Sequence, residues 1–204
     1  MNLRLASENH ADYLLESEDV NYSHPSIGAI ADVLRKQAPD ELAYVQAAFE
    51  FVRDQVSHSW DIQSPRVTRI ASDVLAAREG ICYAKSNLLC ALLRREGVPA
   101  GFCYQRLTLG DTPDTGYVIH ALNAVYLRSL DRWVRLDARG NKDGVDAQFS
   151  TDTERLAFPI RSHYDEVDYP TIYTHPHPAT MEALVQASNC LEMYLHGLPS
   201  TLDE

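Results

Sequence analysis

Gly80-Ile81-Cys82-Tyr83-Ala84-Lys85-Ser86-Asn87-Leu88-Leu89-Cys90-Ala91-Leu92-Leu93-Arg94-Arg95-Glu96-Gly97-Val98-Pro99 is the stretch that decides the fold. Leu88, Leu89, Leu92 and Leu93 recur at the spacing of one helix side, so the pattern predicts a buried helix from Tyr83 to Glu96. Gly97 and Pro99 supply its C-terminal stop. Cys82 therefore sits at, or just before, the first turn. A helix N-terminus favours a thiolate and offers unpaired backbone N–H groups to a developing oxyanion. Gly80 allows a tight entry that would expose Cys82 rather than pack it.

Downstream lie three strand-like runs: Gly101 to Leu109, Tyr117 to Leu127, and Arg132 to Asp137. The last two are joined by a short polar connection and read as antiparallel neighbours. His120 lies within the second run and Asp137 ends the third. A two-residue loop at Arg128-Ser129 would set the two opposite each other. Any even-length loop keeps them on one face of the sheet, whereas an odd loop without a bulge separates them. The order Cys82, His120, Asp137 thus offers a nucleophile, a base and a carboxylate to orient the base.

Upstream, the polar N-terminal segment reads as an edge strand. Ser23-His24-Pro25-Ser26 turns into a helix carrying Ile27, Ile30, Ala31 and Leu34. Acidic residues at its start and the stripe Leu42, Val45, Phe49, Val52, Val56 predict a helix from about Asp40 to Val56. Ser72 reads as the cap of a short helix through Ala77 that Gly80 ends. Beyond the hairpin, Pro159 to Pro178 reads as irregular, and a last helix runs from roughly Thr180 to Leu195. Helices first and a hairpin-built sheet afterwards predict an α+β protein, with residues 1–204 forming one domain.

Composition narrows the function. The 204 residues carry a formal net charge of −11, which argues against nucleic-acid and anionic-membrane partners because both require clustered positive charge. The first ten residues hold no apolar stretch before Glu8, and no window approaches eighteen apolar residues. Neither a secretory signal nor a membrane-spanning helix is predicted. The four cysteines form no CxxC pair and no dense framework, so reduced thiols in a cytoplasmic protein are expected. Cys90, Cys103 and Cys190 read as small core residues. His58, His163 and His196 read as ordinary polar residues, and Arg135 and Arg139 as surface ion-pairing residues. His175-Pro176-His177 would be half a metal site at most, so a structural loop is expected and a metal-dependent hydrolase ranks last.

Taken in order, these segments resemble the transglutaminase-like superfamily. Gly80 to Ser86 with Leu92 to Ala100 resembles its nucleophile helix and following strand. Ile119 to Tyr126 resembles its histidine strand, and Trp133 to Asp137 its tryptophan-to-aspartate strand; the likeness covers about Ala71 to Asn141. The resemblance implies a papain-like α+β fold, a Cys82–His120–Asp137 triad, and acyl transfer or amide hydrolysis through a thioester on the cysteine. It implies neither metal nor organic cofactor, and a peptide, protein or small amide as substrate. Trp60, Gln63 and Tyr83 are the further candidates for oxyanion or substrate contacts, with a second oxyanion donor expected from Trp60 to Pro65. Ala121 and Leu122 follow the histidine where many relatives carry an aromatic residue. Ala138-Arg139-Gly140 follows the aspartate where many carry Pro-Thr. Both departures bear on substrate choice. Because some members of the superfamily have lost catalysis, a binding domain that holds a peptide or protein in the same cleft is the alternative.

Overall fold

The computed structural model describes residues 2–203. Two short strands, β1 (Arg4–Leu5) and β2 (Ser57–His58), flank the helices α1 (Pro25–Gln37) and α2 (Glu41–Gln55). Then come α3 (Ala71–Ala77), β3 (Glu79–Gly80) and α4 (Cys82–Arg95). The sheet strands β4 (Ala100–Thr108), β5 (Tyr117–Leu127) and β6 (Arg132–Leu136) follow, then β7 (Val167–Asp168), β8 (Thr171–Ile172), α5 (Pro178–Gln186) and α6 (Cys190–His196). The order β6-β5-β4-β7 makes an antiparallel sheet, and β1-β8 and β2-β3 are two-stranded parallel ribbons. The architecture is α+β, as expected.

Local chemistry explains the helix starts. The Asp40 carboxylate accepts from Ala43 N at 2.8 Å, satisfying one orphan donor of α2. Pro25 opens α1 with His24 as its cap. Every residue of α4 from Cys82 to Arg94 is buried, so this helix runs through the centre rather than along a surface. Its one buried guanidinium, Arg94, donates to Ala100 O at 2.7 and 3.0 Å, to Leu15 O at 2.6 Å and to Thr174 O at 2.6 Å. Four bonds to carbonyls replace its lost hydration and tie three distant segments to the helix.

The main core lies between α1–α4 and one sheet face carrying Ile119, Ala121 and Val125. A smaller cluster of Tyr13, Cys103, Leu122, Ala124 and Ile172 covers the other face. Alternation along β5 accounts for the split, since odd and even positions point to opposite sides.

Several expected boundaries differ. The β5–β6 turn has four residues, Arg128 to Asp131, not two, and Asp131 closes it at φ 50°. Parity is unchanged, so His120 and Asp137 share a face but are offset along the strands rather than opposed. The N-terminal segment contributes only the two-residue β1, outside the main sheet. Ile70, without a side-chain cap, precedes α3; Ser72 instead accepts from Asn21 Nδ2 at 2.9 Å. Arg78 in the left-handed region, not Gly80, ends α3. The single last helix is two, because the Asn189 side chain accepts from Leu191 N and Glu192 N and starts α6 afresh.

Candidate active site

Three backbone arrangements bring the chemistry together. The first is the ribbon β2-β3, which pairs His58 with Gly80 and carries the bond from Ser59 N to Gly80 O at 3.3 Å. Gly80 matters here by closeness: a Cβ would lie 2.9 Å from Thr68 Oγ1 and 3.0 Å from Ala84 Cβ. The segment Ser59-Trp60 is thereby laid beside the start of α4. No side chain caps that start, so its first N–H groups are open to whatever sits at Cys82.

The second is the edge of β5. Pairing with β6 stops at Asn123↔Leu136, and beyond it Ile119 is served by other partners. Its N–H donates to Pro199 O at 2.9 Å, and its carbonyl accepts from the Tyr83 hydroxyl at 2.7 Å. Helix α4 is thus fastened to the strand edge one residue from His120.

The third fixes the carboxylate. Asp137 accepts from Ala157 N at 3.0 Å and Arg139 N at 3.2 Å, and its Oδ2 lies 2.8 Å from His120 Nε2. Cys82 lies close enough to the same imidazole to act on its charge. Nε2 being engaged by Asp137, Nδ1 is the ring nitrogen left for the sulfur. Burial would push the imidazole down, but Asp137 and then Cys82 outweigh it and hold His120 raised to about 10. Burial likewise opposes ionisation of Asp137, and His120 with the two backbone donors holds its carboxyl below the usual range.

Cys82 is 9% exposed and opens onto a cleft of about 530 Å³. On one side the Trp60 and Tyr194 rings stack at 4.4 Å and 13°. Arg139 adjoins them, donating to both oxygens of Asp61, one at 2.8 Å. Phe158 meets His120 edge on at 5.2 Å, and Pro159, Arg161 and Glu166, from the irregular stretch, extend that wall.

Cys82, His120, Asp137 and Trp60 are brought together; two candidates are not. Tyr83 is fully buried and its hydroxyl is spent on Ile119, so its side chain cannot reach a substrate. Gln63 turns away at φ 54°, and its N–H and Nε2 both serve Trp60 O within the turn. Arg135 and Arg139 are not surface residues: their side chains are 2% and 3% exposed, each paired with carboxylates. His177 caps α5 by accepting from Ala179 N, and His175 pairs with Thr174. Among the described residues no group of three or more His, Cys, Asp or Glu could hold a metal ion. Nor is any helix among them long and apolar enough to cross a membrane.

Sequence reasoning missed Tyr194, His58 and Lys85. Tyr194 comes from α6, over a hundred residues after the nucleophile, and no local pattern signals its approach. Lys85 Nζ donates to Val56 O and to Arg53 O at 3.4 Å, at the end of α2. Burial, then Arg139, pushes its ammonium down to about 7. Its position between Ala84 and Ser86 on an otherwise uncharged stretch was the available signal.

A sequence-family profile described as the transglutaminase-like superfamily matches residues 28–138. No curated protein matches the chain. Among solved structures, a candidate cysteine protease from Cytophaga hutchinsonii is similar at 19% identity and TM-score 0.52, covering 65% of this chain and 43% of that one. The periplasmic domain of TgpA from Pseudomonas aeruginosa is similar at 20% identity and TM-score 0.47, covering 63% and 46%. The chain thus spans under half the length of either structure. With the profile covering more than half of its residues, the chain belongs to the transglutaminase-like superfamily.

Proposed function

We propose that the protein is a cysteine enzyme acting on amide or other acyl groups through a thioester on Cys82. The supporting observation is the bond from His120 to Asp137 with Cys82 beside the same imidazole in an open cleft. In this reading the Cys82 proton passes to His120 Nδ1, and Asp137 holds the imidazolium through Nε2. The sulfur bonds to the acyl carbon while the carbonyl electron pair moves onto oxygen, where the Cys82 N–H receives it. Collapse expels an amine that takes the proton from His120. Water or a second amine then attacks the thioester, and the thiol is restored. No oxidation state changes, and the chain's own groups supply acid, base and donor.

The cleft supports an uncharged acyl segment in a peptide, protein or small amide. Arg139, Lys142 and Arg161 are balanced there by Asp111, Asp143 and Glu166, although the chain as a whole carries −11. The unpaired cysteines support a reducing, cytoplasmic setting.

Alkylation by iodoacetamide at pH 7 with the adduct mapped tests the reading. Cys82 is expected to react at least tenfold faster than a free thiol, and His120→Ala to remove that advantage. A Cys82 no more reactive than free thiol, insensitive to His120, would leave a binding domain as the role of this cleft.

A further inference from the structure

His58 lines the cleft with Cys82, yet its Nδ1 has no hydrogen-bond partner among the described residues. It sits on β2, paired with Gly80 two residues ahead of the nucleophile, and is 4% exposed. Nδ1 is enclosed and unbonded, whereas Nε2, which no described residue hydrogen-bonds, is not enclosed. Tyr194 touches the ring edge on at 6.1 Å, a contact that satisfies neither nitrogen.

A buried polar atom left without a partner costs about 1–3 kcal/mol, so such groups are rare unless something else completes them. An imidazole has one N–H and one lone pair when neutral. Burial, and then the neighbouring Arg139, hold His58 well below its usual value, with Lys85 and His120 acting in the same direction against Asp61. The neutral ring is thereby favoured. Leaving an acceptor unpaired is the lesser defect, which puts the lone pair on enclosed Nδ1 and the proton on Nε2. Trp60 N–H, on the same wall, is also unpartnered among the described residues, but Trp60 is only half-buried and solvent can serve it.

We infer that His58 is a substrate-contacting donor, presenting Nε2–H to the acyl oxygen at the carbon that Cys82 attacks. It completes with the Cys82 N–H a pair of donors for the oxyanion, and rests on the thioester reading above. With no partner on the protein, Nε2–H is then free to bond the acyl oxygen when substrate is present. The bond strengthens as charge develops on oxygen, which is the property that lowers a barrier.

The test compares two reactions of one sulfur. Acylation by p-nitrophenyl acetate passes through an oxyanion and releases p-nitrophenol; alkylation by iodoacetamide forms no oxyanion. For His58→Phe, which keeps ring volume without N–H, acylation is expected to fall about 10²-fold while alkylation stays within twofold. His58→Gln, with an amide N–H, is expected to recover at least tenfold of the loss. Unchanged acylation in His58→Phe, or equal losses in both reactions, overturns the assignment. A wild-type protein whose Cys82 is alkylated but never acylated overturns the thioester reading and His58 with it.

Discussion

The Tyr83 hydroxyl donates to the Ile119 carbonyl at 2.7 Å, joining the residue after Cys82 to the residue before His120. One bond thus sets the separation of two side chains that come from elements far apart in sequence. Tyr83→Phe keeps the ring and strands a buried carbonyl, so stability is expected to drop by about 1–3 kcal/mol. Urea denaturation measures that drop, and Cys82 alkylation is expected to slow several-fold in the folded variant. A variant as stable and as reactive as wild type would mean that the helix and strand hold their places without this bond.

Opposing pH dependences meet in this site. His120 is raised from 6.5 to about 10, so its contribution to stability is full below 6.5 and lost as pH rises through about 10. Lys85 is lowered from 10.5 to about 7, so its contribution is present above 10.5 and lost as pH falls through about 7. Between pH 7 and 10 the two slopes oppose each other. Lys85→Met is expected to leave a protein that loses stability over that window, and Asp137→Asn one that gains. Chemical denaturation at pH 6, 8 and 10 reads both. Asp137 itself, lowered from 3.8, contributes stability above that value and loses it on acidification. Identical slopes in wild type and both variants would contradict the charge arrangement described.

Ion pairs around Asp61 differ in weight. Arg139 is 3% exposed and needs Asp61 to offset its desolvation, whereas Lys142, on the same carboxylate, is 43% exposed. Asp61→Asn is expected to cost about 3 kcal/mol, and Lys142→Met less than about 1 kcal/mol. Thermal melts of the two variants compare them directly; equal small effects would show that the Arg139 guanidinium finds water or another partner.

What could be read from the chain followed local rules. The leucine spacing and the Gly97–Pro99 stop located α4 and put Cys82 at its tip. Strand parity put His120 and Asp137 on one face although the turn proved longer than expected, because a four-residue loop is even as well. Asp131 adopts a left-handed conformation without being glycine, so nothing marked the turn's true end. The buried charges were illegible for a different reason. Arg135, Arg139 and Lys85 look like surface residues until tertiary structure supplies the carboxylates and carbonyls that permit burial. Tyr194 and His58 reach the cleft through α6 and a two-residue ribbon, long-range placements with no sequence period. Asn189 was a readable cap, and the helical pattern running through it hid the break.

The bond from Ile119 N–H to Pro199 O has a consequence for whatever polymer enters the cleft. An unpaired strand border beside a base would invite an extended peptide to dock by backbone pairing, as happens where sheets recruit guests. Here the Ile119 donor is already taken by Pro199 and its acceptor by Tyr83, both of the same chain. An extended guest would find no partner at this point of the strand, so a polymer in the cleft would have to lie across the strands rather than alongside them.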